Sequence, residues 1–191
     1  ILLFMAVLTT GLYLQLGKPA AIDYKAPVAT PFTMEQAMQE LSDVVKTQPE
    51  NMEARLLLAR SYMQIGKPAE AQPHFAAALK LQPDNVNLMV DYAEAIFRSG
   101  PPNTPDARAQ NWIDKALGMD PANQRARFFQ GILLLQAGKP GDAAKTWESL
   151  LPQVDASTAA ALLPQINRAR TDAGLATIAL PSARSVSITV D

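Results

Sequence analysis

Residues 51–82 read NMEARLLLARSYMQIGKPAEAQPHFAAALKLQ, and the prolines that bracket them, Pro49 and Pro83, stand thirty-four positions apart. Ala59 and Tyr62 precede the turn Gly66-Lys67-Pro68, and Ala71, Phe75 and Ala78 follow it at helical spacing. Glycine just past one helix end and proline at the first position of the next punctuate a tight helix–turn–helix. Two helices of this length cannot bury their apolar faces alone, so the unit has to recur and stack, leaving a concave surface free to bind something else.

The same spacing recurs along the chain. Upstream, Ala37, Leu41, Val44 and Pro49 repeat the second-helix set Ala71, Phe75, Ala78 and Pro83. Downstream, Tyr92, Ala93 and Ile96 answer Leu58, Ala59 and Tyr62, and Ala109, Ile113, Ala116 and Pro121 answer the second helix. Pro83 and Pro121 are thirty-eight apart, and the excess falls in Ser99–Pro105, a turn whose lengthening leaves a stack intact. A third unit has Gly131 and Leu134, then Ala143, Trp147 and Leu150, around Gly138-Lys139-Pro140. These spacings are those of the tetratricopeptide repeat. The fold expected is an all-α solenoid over 33–174: a half-repeat at 33–49, repeats at 52–85, 86–123 and 124–152, and a capping helix at 155–174. Pro73 and Pro164 fall inside predicted helices, so a late start or bend is expected near Pro73 and a kink at Pro164.

Composition agrees. A net charge of −1 with 18% charged residues gives no electrostatic footprint for nucleic acid. An apolar content of 48% with 6% aromatic residues suits an Ala/Leu-rich helical array. With no cysteine, disulfides, thiol catalysis and thiolate metal sites are excluded.

The two ends differ from the array. Ile1–Leu16 carry no charge and are almost entirely apolar. As a helix they would span roughly 24 Å against a hydrocarbon core of roughly 30 Å. A chain opening on Ile rather than Met is expected to continue upstream, which would complete a transmembrane helix over 1–17. A signal-peptide core and a soluble core helix are the less favoured readings, since no small-x-small site follows Leu16 and no polar face exists. Residues 18–32, with Pro19, Pro27 and Pro31, read as a semi-extended linker. Residues 175–191 read as a linker and the start of a β segment, because Ser185–Val190 alternate polar and apolar.

Nothing in the residue pattern supports catalysis. His74 is the only histidine, no activated serine motif accompanies it, and the acidic residues are scattered on solvated faces and helix starts. No catalytic residue, metal ligand or cofactor site is predicted, and the reading is of a binder. In such an array the first helix of each repeat lines the inner wall. Helical spacing then projects Leu56, Arg60 and Met63 from the first repeat, Val90, Phe97 and Arg98 from the second, and Arg125, Phe128, Ile132 and Leu135 from the third. The apolar members form a strip suited to an amphipathic helix, and the arginines would meet that helix's acidic flank. The competing reading is that several of these side chains simply pack on neighbouring helices. The lysine–asparagine clamp by which some tetratricopeptide domains hold a C-terminal carboxylate is missing, with Leu56 and Arg60 in its place.

Taken in order, Gly11-Leu12-Tyr13-Leu14-Gln15-Leu16-Gly17-Lys18-Pro19, the proline-bearing linker, the half-repeat, Leu56-Leu57-Leu58-Ala59-Arg60-Ser61-Tyr62, Asp91-Tyr92-Ala93-Glu94-Ala95 and Gly131-Ile132-Leu133-Leu134-Leu135 resemble the CcmI/CycH-type proteins of bacterial cytochrome c maturation. The resemblance covers nearly the whole chain. It implies an inner-membrane protein whose periplasmic repeats hold the C-terminal helix of apocytochrome c and deliver it to the haem-ligation complex. It further implies a first transmembrane helix and cytoplasmic loop before Ile1 and a periplasmic domain after Asp191. Haem ligation and thiol reduction would belong to partner subunits of the maturation system. A membrane-anchored scaffold for another complex is the alternative.

Overall fold

The computed structural model describes residues 33–102 and 104–180. Eight α-helices follow one another among them: α1 (Met34–Thr47), α2 (Met52–Gln64), α3 (Pro68–Leu81), α4 (Val86–Ser99), α5 (Ala107–Met119), α6 (Gln124–Gln136), α7 (Pro140–Glu148) and α8 (Ala156–Asp172). A short 3₁₀ turn, Leu151–Gln153, precedes α8. The chain divides into two compact units, residues 1–37, of which only 33–37 are described, and residues 38–191, which hold the helical array.

Each helix start is built from local sequence. Asn51, Asn85 and Asn123 accept a hydrogen bond from the backbone N–H three residues on, at 3.0, 3.1 and 3.0 Å, satisfying a donor the helix cannot. Each such cap stabilises its helix by about 1 kcal/mol. In the first and third repeats an arginine one turn further on, Arg55 or Arg127, donates Nε to the carbonyl of Pro49 or Pro121 at 2.7 Å. The ends are equally regular. Gly66, Gly138 and Gly174 have φ of 73°, 71° and 71°, and the N–H that follows each bonds five residues back, Lys67 to Tyr62 at 2.8 Å, Lys139 to Leu134 at 2.9 Å and Leu175 to Arg170 at 2.8 Å.

Alanines at the helix contacts let the backbones approach, with Ala59, Ala71, Ala78, Ala116, Ala126 and Ala143 wholly buried. Around them one core holds Phe75, Met89, Val90, Ile96 and Ile113, running from α2 to α6. A second core joins α7 and α8 through Trp147, Leu150, Leu162, Ile166 and Ala169. A small cluster of Met38, Val45, Ala54 and Leu58 packs α1 on α2. The lengthened turn is tied to the stack where Gln72 of α3 donates to Ser99 Oγ at 2.6 Å, and Ser99 in turn donates to the Ile96 carbonyl.

One expectation needs correction. Helix α3 starts at Pro68, not late, and runs through Pro73; α8 runs through Pro164. The carbonyls that lose a donor belong to Ala69 and Ala160, both on exposed residues, so water can take the place of the missing bond. The expected membrane span at 1–17, the linker at 18–32 and the Ser185–Val190 segment lie outside the described residues. Among the described residues no helix is long and apolar enough to cross a membrane, and residues 175–180 form no strand.

The tail after α8 is nonetheless tied down. Asn167 donates to the Ile178 carbonyl at 2.9 Å and accepts from the Ile178 N–H at 2.7 Å, and Arg170 bonds the Ala176 carbonyl. Ile178 thereby packs on the second core.

Asp155 caps α8 with unusual strength. Its carboxylate accepts from the Ser157 and Thr158 hydroxyls and from both backbone N–H groups, which together hold its pKa far below the ordinary aspartate value. A depressed folded pKa contributes stability that is complete above the unfolded value of about 4 and disappears as pH falls through the folded one. Asp155→Asn is therefore expected to flatten the fall in thermal midpoint on acidification below about pH 4, relative to the parent chain. An equal slope in the two proteins would show that the cap is not ionised differently on folding.

Candidate functional site

Five charged side chains from three alternate helices converge on one face of the array. Asp91 of α4, only 8% exposed, accepts from Arg125 of α6 and lies 3.5 Å from Arg60 of α2. Glu94, one turn further along α4, accepts from Arg125 at 2.6 Å and from Arg98 at 3.3 Å. Arg98 also donates to the Met63 carbonyl at 3.3 Å. Burial disfavours the charge on Arg125, but its bonds to Asp91 and Glu94 outweigh that and raise its pKa. Its guanidinium also lies 5.9 Å from the centre of the Phe129 ring. The three arginines expected to stand free for an acidic ligand are thus engaged internally.

The apolar members separate by position. Val90 is completely buried in the first core and cannot line a wall, which corrects the expectation for it. Leu56, Met63 and Phe97 are half-buried against that core, and Phe128, Ile132 and Leu135 against the second. Phe97 meets Phe129 edge-on at 6.3 Å, and Phe128 lies 6.2 Å from Trp147, so the aromatic side chains form one connected layer.

Four depressions open beside these side chains and are linked by shared lining residues. One of 430 Å³ lies over Met52, Leu56 and Leu57 and ends at Arg60. Arg60 borders the next, a dip of 120 Å³ over Met63 and the Asp91–Glu94–Arg125 network. Arg125 borders a groove of 430 Å³ floored by Phe128, Leu150, Val154, Ala161 and Leu162. Gln165 then joins that groove to a cleft of 650 Å³ between Phe97, Ile132, Leu135 and Trp147 on one side and Arg168 and Asp172 on the other.

Sequence reasoning placed Leu56, Arg60, Met63, Phe97, Arg125, Phe128, Ile132 and Leu135 around these depressions but missed the wall supplied by α8. Gln165, Arg168 and Asp172 stand on α8, which packs on α7. The signal lay in the helix read at 155–174: stacked next in the array, it takes its share of the wall.

His74 is half-buried with its ring stacked on Tyr62 at 5.8 Å, and burial, then the nearby charge of Arg55, lower its pKa. No cluster of residues able to hold a metal occurs among the described residues.

Residues 20–161 match the family described as cytochrome c-type biogenesis protein H TPR domain. The chain is 29% identical over 197 aligned positions, 98% of its own length, to cytochrome c-type biogenesis protein CycH of Pseudomonas aeruginosa. It is 28% identical over 73% of its length to cytochrome c-type biogenesis protein CcmH of Escherichia coli. These matches span 48% and 41% of the relatives, so the chain spans less than half the length of either. Among solved structures the crystal structure of MamA superposes with a TM-score of 0.63 over 74% of this chain and 80% of that one, at 20% identity, which establishes a shared helical-repeat fold.

Proposed function

Since the chain belongs to the tetratricopeptide-repeat family of cytochrome c-type biogenesis protein H, we propose that it binds the C-terminal helix of apocytochrome c and delivers it to the haem-ligation complex. We place it at the bacterial inner membrane, with the repeats facing the periplasm. Haem ligation and thiol reduction then fall to partner subunits, since this chain has no cysteine and a single histidine.

The observation that supports this reading is the linked pair of apolar depressions over Phe128 and Leu162 and between Phe97, Ile132 and Leu135. A helix presents anchors at i, i+3, i+4 and i+7, which a continuous apolar trough accepts along its length. A client that folds as it docks loses conformational entropy, so no single contact suffices and affinity depends on the whole trough.

The test is to titrate the full chain in detergent with labelled peptides matching the C-terminal helix of a host apocytochrome c, against scrambled controls. Phe97→Ala and Phe128→Ala are each expected to weaken binding about tenfold, the range of an aromatic anchor at a hot spot. Thermal melts of the variants separate lost contact from lost fold. No saturable binding by the folded parent chain would favour a membrane-anchored scaffold holding a different complex.

A further inference from the structure

We infer that the trough selects helices bearing a carboxylate and a cation one turn apart on the polar shoulder, the carboxylate against Arg168 and the cation against Asp172. The inference rests on the helix-binding reading above and assigns its electrostatic anchor.

Arginines elsewhere along the described array are already committed. Arg60, Arg98 and Arg125 engage Asp91 and Glu94, Arg108 engages Asp106, and Arg170 engages Glu148. Arg55 and Arg127 donate to proline carbonyls. Arg168 has neither an ion-pair nor a hydrogen-bond partner among the described residues, although it lines the 650 Å³ cleft. Asp172 lines the same cleft, and its carboxylate is also uncommitted among the described residues. The two are four residues apart on α8, hence on one face of that helix, yet they do not bridge each other. Arginine on the N-terminal side of an acid is the weaker order for such a pair, so both remain available to a ligand.

The cleft therefore combines an apolar wall of Phe97, Ile132 and Leu135 with a cation and an anion, each lacking a partner among the described residues. A ligand that is apolar throughout leaves both unmet. A helix with an apolar stripe beside an acid–base pair at i and i+4 meets the wall and both charges.

The experiment uses the full chain and two labelled helical peptides with the same apolar stripe. One carries Glu and Lys at i and i+4 on the shoulder, and the other carries Gln at both positions. The charged peptide is expected to bind about fivefold tighter, with the advantage shrinking as salt is raised. Arg168→Glu should abolish that advantage, and exchanging Glu and Lys in the peptide should restore tight binding to an Arg168→Glu, Asp172→Arg double variant. Thermal melts identify the temperature range in which each variant is folded, since a glutamate beside Asp172 near the end of α8 lowers the midpoint by like-charge repulsion. Equal binding of both peptides, indifferent to Arg168→Glu, overturns the inference and leaves the helix-binding reading standing. Failure of both peptides to bind the folded parent chain overturns that reading, and the inference with it.

Discussion

Gly131→Ala is expected to destabilise the protein by about 3 kcal/mol, although alanine in place of glycine inside a helix ordinarily stabilises by about 1 kcal/mol. A Cβ at position 131 would fall within the Trp147 indole, far inside contact distance of Nε1 and Cε2 and 2.8 Å from Cδ1. The indole has nowhere to go: it is 1% exposed and its N–H donates to the Phe128 carbonyl at 2.9 Å. Relief therefore requires α6 and α7 to separate. Trp147→Leu alone should also cost about 3 kcal/mol, through lost burial and loss of the indole's hydrogen bond to the Phe128 carbonyl. Combined with Gly131→Ala it should cost at least about 1 kcal/mol less than the sum, because the smaller side chain vacates the space the new methyl needs. Urea unfolding of the four proteins measures the coupling, and strict additivity would show that the two residues do not share that space.

Asp91→Ala is expected to cost about 2 kcal/mol, below the 3–5 kcal/mol typical of breaking a fully buried pair. The discount follows from Arg125, whose side chain is 44% exposed and keeps Glu94 after Asp91 is removed. The rest of the penalty is an arginine held against the Phe129 ring with half its compensation gone. Asp91→Leu with Arg125→Met should recover most of the loss, since it removes the half-buried pair together, Glu94 keeps Arg98, and Arg60, left without a carboxylate, has a side chain 63% exposed to water. Chemical denaturation of the single and double variants checks this. A double variant no better than Asp91→Ala would mean that the network is needed for packing and not merely for charge balance.

The repeats were legible because their spacing fixes which residues must be small. The paired sizes Ala59 with Phe75, Ala93 with Ile113 and Gly131 with Trp147 were all in view, and in the third unit the largest second-helix residue accompanies the smallest first-helix one. The charge network was legible only in part. Arg60, Arg98 and Arg125 could be placed on the inner face from helical spacing, but not their engagement with Asp91 and Glu94. Opposite charges on alternate helices meet each other before they meet a ligand, and helical spacing within one helix cannot reveal a partner contributed by another. The α8 wall was hidden for a related reason: reading the groove from the first helices of the three repeats leaves out the helix that stacks after them. The start of α3 at Pro68 could not be foreseen from proline's usual effect at Pro73, because the outcome depends on whether the carbonyl left without a donor, that of Ala69, belongs to an exposed residue.

The return of the tail along α8 has a mechanical meaning. Arg170 holds residue 176 and Asn167 holds residue 178, so the chain retraces the helix instead of leaving from its tip. A pull applied at residue 180 would load the two Asn167 bonds and the seat of Ile178 before it reached Asp172, where the last turn of α8 would otherwise fray. Asn167 and Ile178 thus act as strain relief: tension arriving from the C-terminal direction is taken up at mid-helix, and the turn of α8 bearing Arg168 and Asp172 is insulated from it.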